Sequence, residues 1–238
     1  MTSSAPLTAF VLGAGLGTRL RPLTDGLPKP LLPVRGVPMI EACFARLREA
    51  GVRRIIVNTH WKPEAYAAAY PQHRWGDVEL EFVHEPVLLE TGGGLKNIEP
   101  LLRPEDTHLW IYNGDIYAEP DLDRLWRIHA GSVAESTLLL RGEGNVRVGD
   151  NGDILDLRGR LGATAGTPRQ YAGIALVARP FFRHLRTGAV ESLVEGWLRA
   201  ISEKPGSVRG VVDDRFPWAD LGTVAEYEAI CREAAPQA

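Results

Sequence analysis

Residues 12–34 read Leu12-Gly13-Ala14-Gly15-Leu16-Gly17-Thr18-Arg19-Leu20-Arg21-Pro22-Leu23-Thr24-Asp25-Gly26-Leu27-Pro28-Lys29-Pro30-Leu31-Leu32-Pro33-Val34. The apolar run Ala9–Leu12 that leads into them has the length and content of a strand buried on both faces. Glycines at 13, 15 and 17 let the backbone turn sharply and present bare N–H groups to an anion, which is how phosphates are cradled. Two familiar phosphate loops do not fit. A dinucleotide fingerprint needs a sixth-position glycine opening a helix, but Thr18 stands there and Pro22, Pro28, Pro30 and Pro33 forbid a long helix. A Walker A loop needs Gly-Lys after four spacers, where this chain has Thr18-Arg19. What remains is a proline-stiffened, irregular segment of about twenty residues, a length that in a compact domain signals function. Between Ala14 and Gly36, Arg19, Arg21, Lys29 and Arg35 face only Asp25, a concentrated positive site in a chain of net charge −3.

Similar apolar runs recur at Arg54–Asn58, Val78–Val83 and Leu109–Tyr112. Between them, Ile40, Cys43, Phe44, Leu47 and Ala50 before Gly51, then Leu122, Leu125, Trp126 and His129 before Gly131, keep helical spacing. Such alternation predicts βαβ units and a mainly parallel sheet. Beyond about residue 135 the texture turns to strands at Thr137–Leu140, Val146–Val148, Ile154–Leu157 and Tyr171–Val177, with Asp150-Asn151-Gly152 as a hairpin turn. Helices are expected over Val190–Ile201 and Val224–Ala234, and the weakly patterned Gly159–Arg169 reads as a mobile loop. The fold class expected is α/β: one domain over residues 1–238 with a Rossmann-like mixed, mainly parallel sheet flanked by helices, and a β-rich part from residue 135.

Hydrophobic residues make up 45% of the chain, enough for a sizeable core, which excludes disorder. Near-balanced charge without long like-charged runs argues against a nucleic-acid or membrane-surface partner. Cys43 and Cys231 are 188 positions apart with no metal-knuckle spacing, so neither a zinc cluster nor a disulfide is suggested, and both read as small buried apolar residues. No basic residue precedes Arg19 and the first apolar run is short, so neither a leader nor a membrane span is expected, and the location is cytoplasmic. A monomer or small homo-oligomer is expected.

Asn113-Gly114-Asp115 follows the strand Leu109–Tyr112, placing Asp115 at a strand's carboxyl end, where open α/β sheets bind ligands. A phosphate held by the glycine loop would call for a divalent cation bound by few protein carboxylates, and Asp115 suits that role; a plain turn is the alternative. Asp220, in Trp218-Ala219-Asp220-Leu221-Gly222-Thr223, is a second candidate, or a turn residue ahead of a helix capped by Thr223. Asp213 and Asp214 read as solvated. Glu90-Thr91-Gly92-Gly93-Gly94-Leu95, between a strand and a helical pattern, permits close approach of a planar base, or is a flexible connection. Isolated His60, His84 and His129 read as structural.

The order Gly-x-Gly-x-Gly-Thr-Arg-Leu-x-Pro-Leu-Thr, then Pro-Lys-Pro-Leu-x-Pro-Val, resembles the signature of the sugar-1-phosphate nucleotidylyltransferases. The resemblance implies that Leu12, Gly13, Ala14, Gly15, Gly17 and Thr18 wrap a nucleoside triphosphate, and that Arg19 and Lys29 contact its phosphates as catalytic cations. It implies that Asp115 and Asp220 hold Mg²⁺. Thr91, Gly92 and Gly93 match the base-binding loop, most closely the Leu-Glu-Thr-Gly-Gly-Gly form of the N-acetylmuramate α-1-phosphate uridylyltransferases, with Glu85 as a polar base reader. Asn113, Tyr171, Gly173 and Trp218 fall on the sugar side. On this pattern residues 1–134 are a nucleotide-binding half and 135–238 a sugar-binding half. The substrates implied are an NTP and a sugar 1-phosphate: UTP with N-acetylmuramate 1-phosphate first, GTP with mannose 1-phosphate second, a catalytically silent nucleotide-sugar sensor being the other class. The family's Glu-Lys-Pro ahead of the Tyr-Ala-Gly-Ile stretch is missing; Glu203-Lys204-Pro205 lies downstream and reads as a helix end. There is no hexapeptide-repeat extension, so the acyltransferase half that some members append is not expected.

Overall fold

The apolar run ahead of the glycines forms a middle strand of the sheet in the computed structural model, which describes residues 5–233. Ala9, Phe10 and Val11 are fully buried because both faces of the sheet are covered. In chain order the first half contains β1 (Thr8–Leu12), α1 (Leu23–Gly26), β2 (Pro33–Val34), β3 (Val37–Pro38), α2 (Ile40–Glu49), β4 (Arg54–Thr59), α3 (Pro63–Ala69), β5 (Arg74–Trp75) and β6 (Val78–His84). Next come α4 (Glu90–Asn97), β7 (His108–Asn113), β8 (Ile116–Ala118) and α5 (Leu122–Ala130). The remainder is β9 (Ser136–Val148), β10 (Ile154–Leu157), β11 (Thr167–Ala178), α6 (Leu193–Glu203), β12 (Val208–Val212), β13 (Trp218–Asp220) and α7 (Val224–Glu233).

The main sheet runs β10-β9-β11-β7-β1-β4-β6-β5, with β12 also on β9. β7, β1, β4 and β6 are parallel neighbours, while β11 pairs antiparallel with both β7 and β9. The sheet is thus mixed, its parallel part built from the first half. Alternate side chains of β1 serve opposite layers. Ala9 and Val11 join a core with Ile40, Phe44 and Leu47 of α2, and Phe10 joins one with Leu95 of α4 and Trp197 of α6.

The expected strands are present, with two differences that matter. Thr137–Leu140 and Val146–Val148 are one 13-residue strand, β9, and the Asp150-Asn151-Gly152 turn joins it to β10 with Gly152 at φ 86°. Helix α6 starts at Leu193 because Ser192 caps it, its hydroxyl accepting from Val194 N–H. Ala234, the expected end of the last helix, lies outside the described residues. The expected mobile loop Gly159–Arg169 is not loose: residues 167–169 belong to β11, and the buried Asp156 carboxylate accepts from Leu161 N–H and Ala163 N–H, both at 3.1 Å. No helix among the described residues is long and apolar enough to cross a membrane.

Candidate active site

At Leu12 the chain leaves the sheet between two parallel neighbours, Asn58 and Asn113 being its register partners. Gly13 turns there under tight contact: its N–H donates to Asn58 Oδ1 at 2.9 Å, its carbonyl accepts from the Tyr66 hydroxyl, and a Cβ would fall 2.8 Å from the Asn58 carbonyl. Gly15 meets nothing and lies open. Gly17 takes φ 61°, and its carbonyl accepts from Leu20 N–H and the Thr24 hydroxyl. The prolines cut the rest of the segment into single turns, Thr18–Leu20, Leu23–Gly26 and Lys29–Leu31. The positive charge of this segment does not stay together. Arg21 pairs with Asp25 at the surface and Arg35 sits in the β2–β3 turn, leaving Arg19 and Lys29 on the cavity wall.

Lys29 is buried, with its ammonium 2.7 Å from Asp115 Oδ2 and 3.7 Å from Asp220 Oδ1. The short sheet β8–β13 makes this possible, because Asp220 pairs in register with Ile116, the residue after Asp115. These strands are three residues each and gave no signal in the sequence. Thr223 caps α7 as expected, in a reciprocal box with Glu226.

A cavity of about 500 Å³ opens above this cluster, within the range of small-molecule sites. Of the sequence candidates, Leu12, Ala14, Gly15, Gly17, Thr18, Arg19, Lys29, Thr91, Asn113 and Asp115 line it. Asp220 borders it through Lys29, and the Arg19 guanidinium lies against Gly222. Glu90, the first residue of the segment expected to approach a base, also lines it, as do Asn58, Leu88, Arg158 and Ser192, which the sequence did not mark. Two of these, Glu90 and Arg158, carry φ near 59°, a left-handed conformation unusual for a side-chain-bearing residue.

Other candidates sit elsewhere. Glu85 is fully buried; its carboxylate accepts from Asn58 Nδ2 at 2.8 Å and Leu89 N–H at 3.0 Å, so it supports the cavity floor instead of reading a base. The N–H groups of Gly92 and Gly93 donate to the Glu191 carbonyl, and a Cβ on Gly93 would fall 2.2 Å from the Ala189 carbonyl. These glycines pack α4 against the segment before α6 and present nothing to a ligand. Thr91 reaches the cavity, though its hydroxyl already accepts from Leu193 N–H. Tyr171 stacks edge-on against Trp197 at 5.2 Å with its hydroxyl buried, and burial pushes that phenol's pKa up. Gly173, at φ 82°, lies against Asn113, and Trp218 donates its indole N–H to the Ala172 carbonyl beneath the Arg141 guanidinium. Asp213, expected to be solvated, is buried between Arg215 and Arg124; the hydrogen bond from Arg215 holds its carboxyl down at about 2.

The donor set at the cluster suits a hard divalent cation: two carboxylates share one ammonium, and no group of three or more His, Cys, Asp or Glu converges among the described residues. A cation with so few protein ligands takes the rest from water and substrate phosphates, as Mg²⁺ does and structural Zn²⁺ does not.

The chain is 39% identical over 142 residues to mannose-1-phosphate guanylyltransferase of Mycobacterium tuberculosis, covering 60% of this chain but only 38% of that protein. It is 28% identical over 229 residues to N-acetylmuramate alpha-1-phosphate uridylyltransferase of Neisseria meningitidis serogroup B, covering 93% and 96%. The fold superposes on HddC from Yersinia pseudotuberculosis with a TM-score of 0.77 at 20% identity, over 96% of this chain and 99% of that one. The family model described as nucleotidyl transferase matches residues 8–147, the segment that builds the glycine loop, the parallel strands and Asp115. A match over more than half of the chain, resting on the residues that wall the cavity, makes this protein a member of the nucleotidyl transferase family.

Proposed function

We propose that the protein transfers a nucleoside monophosphate from an NTP to an α-sugar 1-phosphate, releasing pyrophosphate and forming an NDP-sugar. The observation that carries this reading is one ammonium, that of Lys29, joined to both Asp115 and Asp220 beside the glycine-loop cavity. A sugar phosphate is already a competent nucleophile at neutral pH. No general base or covalent intermediate is needed, and catalysis reduces to alignment and charge neutralisation in an in-line displacement. In this reading the open backbone at Gly15 and the Thr18 turn receive the triphosphate, Arg19 binds the departing pyrophosphate, and Lys29 steadies the reacting phosphate. Asp115 and Asp220 would hold Mg²⁺, which when bound neutralises phosphate charge and orients the reacting oxygens. The reading puts the enzyme where NTPs are made, in the cytoplasm.

UTP with N-acetylmuramate 1-phosphate ranks first, supported by the near end-to-end alignment with a uridylyltransferase. GTP with mannose 1-phosphate is the second reading, and Glu90 favours it. A free carboxylate on the cavity wall accepts two N–H groups from the edge of guanine but only one from uracil. Pyrophosphate release measured with each NTP against a panel of sugar 1-phosphates tests both. Release with one pair selects it, and binding without release under every pair would mark a sensor and overturn the enzymatic reading.

A further inference from the structure

Arg158 follows β10 in an unfavourable backbone state. It takes φ 59° and Gly159 after it takes φ 68°, so the chain reverses through two left-handed residues. Glycine adopts this conformation freely, whereas a residue with a Cβ is strained there. The turn is nevertheless held firmly: Arg158 N–H donates to the Asn145 carbonyl at 2.7 Å, and buried Asp156 grips the two N–H groups at 161 and 163. Two residues on, Arg160 forms a forked pair with Glu195. Arg158, by contrast, forms no salt bridge among the described residues; its charge reaches Glu195 only at longer range, and the residue lines the main cavity. The other cations on that wall come from the glycine–proline segment; of these, Lys29 is engaged with both aspartates. Arg158 is the cation brought to the cavity by the second half of the chain.

We propose that Arg158 binds the phosphate of the incoming sugar 1-phosphate, the second anion that the transfer reaction requires. This rests on the nucleotidyl-transfer reading above. Two phosphates that must meet repel each other, and each needs its own counter-charge from a fixed direction. A planar guanidinium on a pinned turn can supply a two-pronged grip on phosphate oxygens in the cavity that the glycine loop also lines. The strained turn is retained because the side chain it aims has a task.

Arg158→Gly separates task from structure, since it removes the guanidinium and relieves the backbone. Its melting temperature is expected to equal or exceed that of the wild type. In pyrophosphate-release kinetics its KM for the sugar 1-phosphate should rise about tenfold or more, with KM for the NTP within about twofold, and Arg158→Lys should recover part of the loss. A rise confined to the NTP, or unchanged constants, would overturn the assignment. If the wild type releases no pyrophosphate with any pair, the transfer reading fails on its own. Calorimetric titration of wild type and Arg158→Gly with mannose 1-phosphate and N-acetylmuramate 1-phosphate then decides Arg158: binding lost in the variant supports it, and equal binding, or none to either protein, refutes it.

Discussion

Lys29 neutralises two carboxylates at once, so its removal does more than take one positive charge from the cavity wall. Lys29→Ala leaves Asp115 and Asp220 facing each other without their shared ammonium, and turnover should fall by at least about 100-fold, as when a preorganised electrostatic group is lost. Asp115→Asn and Asp220→Asn should lose as much, with a raised requirement for Mg²⁺ that distinguishes them; wild-type rates in pyrophosphate release would remove all three from the machinery. Lys29 and Asp115 stood out in the sequence because a lysine between prolines and an acid just after a buried strand each suggest a ligand, whereas Asp220, at the end of the three-residue β13, was reached only through the family resemblance. The place of Glu85 was not legible. Whether a carboxylate beyond a strand faces a cavity or the core is decided here by Asn58, a partner 27 residues away that no local pattern reveals. Glu85→Ala should therefore cost about 2–4 kcal/mol in denaturant unfolding, from two buried donors left unpaired.

Helix α4 owes its position to having no side chain where it meets the segment before α6. Gly93→Ala drives a methyl group into the Ala189 carbonyl and should lower stability by about 2 kcal/mol or more, read as a fall in Tm. Helix α5 carries a pH response. Burial, and then the neighbouring His108, hold His129 down at about 4. The unfolded chain binds this proton first, near pH 6.5, so the contribution to stability is complete above that value and declines as pH falls toward 4. Unfolding free energy should drop by roughly 1–2 kcal/mol between pH 7 and pH 5 on this account, and His129→Gln should flatten the slope. The helices and buried strands were readable because their apolar spacing extends over several turns or residues. The β8–β13 pair was invisible for the opposite reason: three-residue strands are made by their partners and not by propensity.

At the scale of the whole molecule, the parallel strands supply the glycine loop and the antiparallel half supplies Arg158 to one cavity, so a ligand bridging them should tie the halves together. An NTP is expected to raise Tm markedly in the presence of Mg²⁺ and little in its absence, and the Mg²⁺ dependence should vanish in Asp115→Asn or Asp220→Asn. The alternation of strand and helix announced the parallel half; how β11 would insert beside β7 could be read from no local pattern, since the register Ile174–Tyr112 joins residues far apart in sequence. The pairing of β13 with β8 also has a temporal side. On the ribosome, a polypeptide grown only as far as β12 already owns the glycine loop, the proline-flanked lysine and one acid, yet it lacks the other acid. If the two acids act together as proposed, a chain halted after β12 would be inert, and competence would arrive only when the closing strand docks.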